Sequence, residues 1–420
     1  MIWGLSIRRV RSFFALMLLI FSAASVRAEL AWNSTPFWRQ ARLLPPGQQV
    51  LAVQAAFGTY DSRFDSRGRV QPLGRPFVQG VTWRRILDSE PSSAGRAEIR
   101  DYMRRSRVND SDLAASAQFQ VEREEVAFGI HWTYGLTRRW MIGVELPLVY
   151  RRTHVTSSME LTPVLAQTAH KGLRANLVKG NLREKVRNVA TNELNSLGYD
   201  GIPTQSQHWD WDDINLLSQV QLMDRLPWSW SLQQTLRLPT ARSPSLADFI
   251  RTSSDDGQVD FGISSLIDFH WSHWRLGHRL GAMFQLPDHL RVRLPSSDSS
   301  GEIHSSRMRR DLGDWLWSSL SGNYQWSDRL SFDLEYSFLI KEPDRYAAGD
   351  LVGAGLSALG EDGGQELHLT QFGLGYRFGE LKRRDGVENK WMATIAYTVP
   401  WGGRNSVDVA RTTLGLMDYF

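Results

Sequence analysis

The sequence predicts an all-β protein, a transmembrane antiparallel up-and-down β-barrel of about twelve strands with a helical insertion in an extracellular loop. Three patterns in the 420 residues lead to this fold class: two-residue alternation of apolar and polar side chains, alternation of short and long connections, and tryptophan at segment ends. After residue 28 no run approaches the roughly 18 apolar residues of a spanning helix. A closed barrel is the remaining way to satisfy backbone polar groups in lipid.

The alternation is clearest in "SFDLEYSF", residues 331–338. Successive side chains of a strand point to opposite faces, so Phe332 and Leu334 share one face while Asp333 and Glu335 share the other. In a membrane barrel the apolar face meets lipid and the acidic face meets the lumen. Strands of this kind are predicted near residues 49–60, 118–135, 139–152, 213–224, 228–239, 257–270, 273–286, 313–326, 330–341, 366–379, 389–400 and 407–420.

The connections between these segments alternate in length. Outer-membrane barrels have tight periplasmic turns and long outer loops, whereas a soluble sandwich has no reason to gather its long loops at one end. An even number of strands then places both chain ends on the periplasmic side. The predicted extracellular loops are 61–117, 153–212, 240–256, 287–312 and 342–365.

Tryptophan lies mostly at the ends of the predicted strands, as at Trp140, Trp228, Trp271 and Trp274. Barrels carry aromatic girdles where their outer face meets the lipid headgroups. Tryptophan that packs a soluble core would favour positions in the middle of strands. The distribution therefore favours a membrane barrel.

The N-terminus predicts a secretory signal peptide over residues 1–28. Arg8, Arg9 and Arg11 precede an apolar run, and the small or β-branched residues in "VRA" before Glu29 are typical of signal-peptidase cleavage after Ala28. The chain has no cysteine, which excludes lipoprotein acylation, disulfides and thiolate metal sites. The signal predicts export, and together with the predicted barrel it indicates the outer membrane as the destination.

The predicted mature chain, residues 29–420, has balanced charge. The whole sequence has 49 basic and 45 acidic residues, and the signal segment contains four arginines and no acid. Removing it leaves equal numbers of both signs, so bulk charge does not favour nucleic acid as a partner.

Charged side chains on the inner faces of the predicted strands are the candidates for lining the lumen. Two interpretations stay open: an interior closed by salt bridges, since isolated charges are costly there, or a narrow polar channel with acidic and basic walls. The candidates are His131, Glu145, Arg237, Asp260, Asp268, Arg275, Arg279, Asp333, Glu335 and Arg377, with Arg151 and Arg411 on the same face.

The longest predicted loop, 153–212, is expected to contain helices. Thr162 is a suitable N-cap, and Gly198 is a suitable stop for an apolar pattern at helical spacing. Its basic residues either contact lipopolysaccharide phosphates or belong to a solvated cap over the barrel mouth. In segment 61–117 a short extra hairpin is expected around "FVQGVTWRRI". The lipopolysaccharide-contact candidates are Lys171, Arg174, Lys179, Arg183, Lys185 and Arg187.

No catalytic, cofactor-binding or metal site is predicted, and no cofactor is expected. The sequence contains no phosphate loop, zinc signature or nucleotide fingerprint. Enzymes that cut lipids at a barrel rim need a nucleophile, a histidine and an orienting group, and no compact motif of this kind is present. His270 and His273 resemble a metal pair, but polar residues at the interface explain them equally well.

Several short segments resemble an uncharacterised family of Gram-negative outer-membrane proteins, known as a domain of unknown function. Ser89 stands where this family has glycine, and Ala241 where it continues with glycine after "LPT". The resemblance implies the barrel fold and the outer-membrane location, and it implies no activity. The segments are "TPFWRQ", "ILDSE", "YGLTRRWMIGVELPLVY", "WDDINLLSQVQL", "LRLPT" and "VDFGISS".

The sequence therefore predicts a passive small-solute channel or a structural surface protein in the outer membrane. The alternatives are a barrel enzyme that acts on lipid or lipopolysaccharide, and a soluble secreted β-protein that binds glycans through tryptophan. The expected partners are outer-membrane lipid, lipopolysaccharide and, during insertion, the barrel assembly machinery. We expect a monomer and no nucleic-acid partner.

Overall fold

The structure is a computed structural model that describes residues 39–75, 79–90, 92–161, 205–240, 258–295, 303–347, 364–382, 388–408 and 410–420. Within these ranges it contains two helices, α1 (Trp83–Ser89) and α2 (Ser93–Ser106), and nineteen strands. The strands are β1 (Gln49–Tyr60), β2 (Ser62–Phe64), β3 (Val70–Pro72), β4 (Gln79–Thr82), β5 (Leu113–Thr137), β6 (Trp140–Leu161), β7 (Gln205–Trp211), β8 (Ile214–Arg225), β9 (Trp228–Leu238), β10 (Asp260–Trp271), β11 (Trp274–Gln285), β12 (Asp288–Pro295), β13 (Ile303–Asp311), β14 (Trp315–Gln325), β15 (Leu330–Lys341), β16 (Arg345–Ala347), β17 (Gln365–Lys382), β18 (Glu388–Arg404) and β19 (Arg411–Tyr419).

Twelve of these strands form a closed antiparallel barrel. In ring order they are β1, β5, β6, β8, β9, β10, β11, β14, β15, β17, β18 and β19, so each strand pairs with its neighbours in the predicted succession. All twelve predicted segments coincide with a barrel strand. The predicted fold class is confirmed.

The first strand closes the ring, because β1 pairs with β19 on one side and with β5 on the other. At the seam the Gln49 N–H donates to the Phe420 carbonyl at 2.8 Å, and the Phe420 N–H donates to the Gln49 carbonyl at 3.0 Å. A closed ring leaves no strand edge with unpaired backbone groups.

The two faces of the barrel are inverted relative to a soluble protein. Leu334 is 51% exposed on the outside, whereas the neighbouring Glu335 is only 9% exposed on the inside. On other strands the same contrast holds, since Leu320 of β14 is exposed on the outside and Gln233 of β9 is buried on the inside. A polar interior and an apolar outer face require lipid around the barrel. The soluble glycan-binding alternative needs the opposite arrangement.

Two aromatic belts mark the borders of the apolar outer face. We call the end with the short connections and the last residue the turn end, and the opposite end the loop end. On β18 the belts are marked by Trp391 at the turn end and Trp401 at the loop end. Ten residues of tilted strand span a height of about 25 Å, the usual height of the apolar band of an outer-membrane barrel.

The long loops contain secondary structure of their own. The hairpin predicted around "FVQGVTWRRI" in 61–117 is wrong. In this stretch β4 is a single strand that pairs with the distant β5, and α1 begins directly after it at Trp83. Helix formation is favoured there because it buries one apolar face of each helix on the other. The buried cluster consists of Trp83, Ile86, Leu87, Ile99, Tyr102, Met103, Ala114 and Ala115.

The loop predicted over 153–212 begins and ends as strand. β6 continues to Leu161, and β7 pairs with it from Gln205 onward. The helices predicted between them, and the six basic residues from Lys171 to Arg187, lie outside the described residues.

Loop 287–312 contains the β12–β13 hairpin, and β16 in loop 342–365 pairs with β13.

We predict that Leu334→Arg destabilises the barrel by about 2–4 kcal/mol, since a guanidinium at this depth would face hydrocarbon. The measurement is the urea dependence of folding in phospholipid vesicles. Val70→Arg is the matched control, because Val70 is equally apolar and exposed but lies on β3, outside the barrel. Equal destabilisation by both substitutions would contradict a lipid-facing position for Leu334.

Candidate functional site

A segment that precedes β1 runs inside the barrel. We call residues 39–44 the lumen segment. Gln219 donates its side-chain N–H to the Gln40 carbonyl at 2.8 Å, and Gln221 donates to the Ala41 carbonyl at 3.1 Å. The Ala41 N–H donates to an Asp268 carboxylate oxygen at 2.8 Å. Inward side chains of β8 and β10 therefore satisfy the backbone of the segment, and Ala41 is fully buried.

Arg39 extends the lumen segment to the far wall. Its Nη1 lies 2.7 Å from Oε2 of Glu335 on β15, and its Nη2 donates to Gln371 on β17 at 3.5 Å. Strands β8 and β17 are separated by five strands in either direction around the ring. The segment thus spans the lumen from one wall to the diametrically opposite one.

At the turn end, apolar side chains anchor the lumen segment. Leu44 is buried there among inward residues of four barrel strands. Because these side chains are apolar in an otherwise polar lumen, they close its turn end around the start of β1. The cluster consists of Leu44, Val50, Ala52, Met141, Leu217 and Met417, with Leu43, Met392 and Tyr419 packed against it.

At the loop end, a second apolar cluster occupies the mouth. Phe64, at the end of β2, turns into the barrel, and its N–H donates to the Ser406 carbonyl at 2.8 Å. We call this group the mouth cluster. It contains Phe64, Leu339, Leu367 and Leu369, with Trp315, Trp317 and Val407 against it.

Asp65 fixes the β2–β3 hairpin that carries Phe64. Its carboxylate accepts hydrogen bonds from the N–H groups of Arg67 at 2.8 Å and Arg69 at 2.9 Å, and from Arg69 Nε at 3.0 Å. The backbone N–H of Arg69 contributes most to holding the pKa of Asp65 below its usual value. The charged carboxylate therefore stabilises the turn above the ordinary Asp pKa, and this contribution is lost as pH falls through the lowered pKa.

Between the two apolar ends lies a polar layer that contains several predicted lumen residues. His131 Nδ1 and Glu145 Oε1 are 3.7 Å apart across β5 and β6, and both side chains are buried. Asn215 donates to Glu145 at 3.3 Å. On the neighbouring wall, Arg237 lies 3.2 Å from Asp260. The Arg237–Asp260 ion pair thus joins β9 to β10 in this layer. The pair between Arg151 and Glu125, 3.4 Å apart, joins β6 to β5 nearer the loop end.

Five other predicted residues face the same interior. Arg279 donates to Gln233 at 3.2 Å, and its guanidinium carbon lies 5.6 Å from the ring centroid of Trp317. Arg275 and Arg279 share the inner face of β11. Asp333 accepts from Asn323 at 2.7 Å, whereas Asp268 and Glu335 contact the lumen segment.

Arg377 and Arg411 lie away from this polar layer. Arg377 is exposed near the turn end, where its Nη1 donates to the Asp328 carbonyl at 3.4 Å. Arg411 begins β19 at the loop end and pairs with Thr398 of β18. The alternation of the sequence predicts whether a side chain faces the lumen. Its position along the barrel axis depends on where each strand starts.

The sequence interpretation missed the lumen segment and its amide partners. Arg39 and Gln40 are the last residues of "TPFWRQ", a segment that carries the family resemblance but no pattern that predicts a site. Gln219 and Gln221 alternate inward on β8, but they are uncharged, and the predicted lumen residues are all charged or ionisable side chains. Inward glutamines on a barrel strand would have been the available signal.

Neither a metal site nor a spanning helix is found in the part of the chain that the structure describes. No group of three or more His, Cys, Asp or Glu side chains is arranged there to hold a metal ion. No helix in those ranges is long and apolar enough to cross a membrane.

A closed ring of twelve strands with an apolar outside and a polar inside defines an outer-membrane β-barrel. The sequence matches no protein-family model and no curated relative. Among solved structures, it is similar to the COG4313 outer membrane channel from Pseudomonas putida F1, with 11% identity over 93% of this chain and 100% of that one and a TM-score of 0.50. This likeness supports the barrel fold.

Two further solved structures align over most of the chain. One is the Pseudomonas putida toluene transporter TodX, with 11% identity over 92% of this chain and 93% of that one and a TM-score of 0.33. The other is a Pseudomonas aeruginosa FadL homologue, with 10% identity over 90% of this chain and 89% of that one and a TM-score of 0.29.

We predict that Asp65→Asn makes the β2–β3 hairpin more sensitive to trypsin at Arg67 and Arg69, because the turn loses its charged acceptor. Limited proteolysis of the refolded barrel at neutral pH measures the cleavage rate. Asp61→Asn is the control, since Asp61 contributes its backbone carbonyl, which accepts from the Leu73 N–H. Equal cleavage of the two variants would contradict the role given to the Asp65 carboxylate.

Proposed function

We propose that the protein is a passive outer-membrane channel for small solutes, obstructed at rest by the lumen segment. The observation that carries this proposal is the set of hydrogen bonds that join residues 39–41 to opposite walls of the barrel. The chain segment that blocks the lumen is attached to the barrel at its turn end and can be displaced without unfolding a strand.

The weakness of the contacts that hold the lumen segment supports a movable gate rather than a permanent plug. A typical intramolecular hydrogen bond contributes about 1 kcal/mol net, and one to a charged group about 1.5–3 kcal/mol. Apart from the apolar anchor at Leu44, the segment is held by a few such bonds. Water that enters the lumen would replace them, so displacement costs only a few kcal/mol.

The polar walls support small hydrophilic or amphiphilic solutes as cargo. Displacing the lumen segment would uncover Gln219, Gln221, Asp268, Glu335 and Gln371, which offer both donors and acceptors to a solute. Because arginines and carboxylates lie on the same wall, such a path would admit both anionic and cationic solutes. A transport role accounts for this interior without a catalytic group.

The matched variants Glu335→Gln and Asp333→Asn test the gate. Both remove one inward carboxylate of β15, but Glu335 contacts Arg39 whereas Asp333 contacts Asn323. We predict that Glu335→Gln raises the open fraction about tenfold, since it removes a charge-assisted hydrogen bond. Single-channel recording in a planar bilayer gives the open fraction, and Asp333→Asn should leave it within about twofold of wild type.

Insertion is checked separately by heat-dependent gel mobility. Equal effects of the two variants would indicate that luminal charge, and not contact with the lumen segment, controls conduction. A barrel that is inserted but silent in every variant, including Arg39→Ala, would overturn the channel and leave a structural surface protein.

We further propose that residues 1–28 are cleaved, that the barrel assembly machinery inserts the mature chain as a monomer, and that the turn end faces the periplasm. The composition of the N-terminal run supports export. The long connections at one end support the orientation, because outer-membrane barrels keep short turns on the periplasmic side.

The absence of cysteine from the sequence makes the orientation testable. We predict that a Cys introduced at Ala97, exposed on α2 at the loop end, reacts with a membrane-impermeant maleimide in intact cells. A Cys at Asp328, exposed in a short turn, should react only after the outer membrane is permeabilised. The reverse pattern would contradict the proposed orientation, and mass spectrometry of the same samples gives the mature N-terminus.

A further inference from the structure

A chain of hydrogen-bonded side chains lies on the outer face of the barrel at the loop end. Glu366 accepts from His368 Nε2 at 3.1 Å, and the Tyr336 hydroxyl is 2.9 Å from His368 Nδ1. A carboxylate only accepts, so Nε2 carries a proton, and in the neutral imidazole Tyr336 then donates to Nδ1. Arg404 Nε completes the chain 3.3 Å from the other Glu366 oxygen.

An irregularity in strand pairing places a tryptophan beside this chain. The register of β17 and β18 shifts between His368, opposite Gly402, and Leu369, opposite Pro400, so Trp401 is the extra residue of a β-bulge. Its ring centroid lies 5.1 Å from that of His368 and 5.8 Å from that of Tyr336. We call Tyr336, Glu366, His368, Trp401 and Arg404 the rim site.

The rim site faces the membrane border rather than the lumen. Tyr336 and His368 alternate with inward residues of β15 and β17, and Trp401 belongs to the loop-end aromatic belt. Trp401 is 61% exposed, and the Arg404 side chain is 64% exposed. An aromatic face and a guanidinium are therefore presented together at the level of the lipid headgroups.

This combination fits a phosphorylated sugar. A guanidinium binds phosphate through charge-assisted, often bidentate hydrogen bonds. The face of a tryptophan ring offers a flat apolar surface to a pyranose. The Tyr336 hydroxyl and the Glu366 carboxylate lie beside it with lone pairs that can accept hydrogen bonds from hydroxyl or amide groups. Glu366 also orients Arg404, as Tyr336 orients His368, so the donors are arranged before a ligand arrives.

We propose that the rim site binds the phosphorylated glucosamine headgroup of lipopolysaccharide, the glycolipid of the outer leaflet. This inference rests on the proposed orientation, which places the loop end outward, and not on conduction through the lumen. It places a lipopolysaccharide contact on the barrel wall itself, apart from loop 153–212.

A second ion pair on the outer face supplies a matched control. Arg152 of β6 lies 3.3 Å from Glu124 of β5, and the two are direct cross-strand partners, as Arg404 and Glu366 are. Arg152 also faces outward near the loop end. Arg404→Gln and Arg152→Gln therefore change the net charge equally, but only Arg404→Gln removes a guanidinium of the rim site.

The experiment measures binding of purified lipid A to the refolded full-length protein in mixed detergent micelles, by native mass spectrometry. Micelles have no sidedness, so failure of the orientation cannot hide binding. We expect Arg404→Gln and Trp401→Leu to weaken lipid A binding at least about tenfold, and Arg152→Gln to change it by about twofold or less. Heat-dependent gel mobility verifies folding of each variant.

The rim site is supported if lipid A binding is lost in the two rim variants and if phosphatidylethanolamine competes poorly. Equal weakening by Arg404→Gln and Arg152→Gln would overturn it in favour of general electrostatic attraction. Equal competition by phosphatidylethanolamine would also overturn it, since the site would then recognise any headgroup phosphate. Wild-type affinity in both rim variants would exclude the site.

Discussion

The whole architecture depends on the requirement that no backbone N–H or C=O meets hydrocarbon without a partner. A sheet satisfies this requirement only when its first and last strands pair, and β1 meets it by pairing with both β19 and β5. The register of each strand pair fixes which side chains face outward, because a slip by one residue would exchange the two faces of a strand. The outer and inner chemistry of the barrel therefore follows from closure.

Strand number then determines how much space the inner side chains must fill. An eight-stranded barrel is filled by its own side chains, whereas twelve strands enclose a wider interior. In this protein, additional chain enters that interior from both ends. The lumen segment enters from the turn end, and Phe64 enters from the loop end. The apolar clusters at the ends leave the polar layer between them as the region available to a solute.

The sequence was informative about everything that repeats with the period of a strand. The faces of Leu334 and Glu335, the succession of strands and the position of the aromatic belts all follow from alternation and connection length. The lumen segment could not be predicted this way, because residues 39–44 have no period and their partners lie about 180 to 330 residues away in sequence. The same applies to Arg39 and Glu335, whose contact depends on barrel diameter.

The helices α1 and α2 show a different limit. Segment 79–82 is a strand because it pairs with β5, and the helix that follows is fixed by burial of Trp83 and Ile86. Both are tertiary effects that override local pattern. The bulge that carries Trp401 is likewise a property of pairing between two strands, so the rim site could not be recognised from β18 alone.

The way in which the lumen segment is held argues for movement about one end. Leu44 is fixed by apolar contacts that water does not replace, and the chain continues directly into β1. Residues 39–42 are held by amide and carboxylate groups, which water or a polar solute can satisfy equally well. A solute with donors and acceptors would compete for the same partners that hold the segment. Binding of such a solute would therefore favour the displaced state, and the channel would be opened by its own cargo.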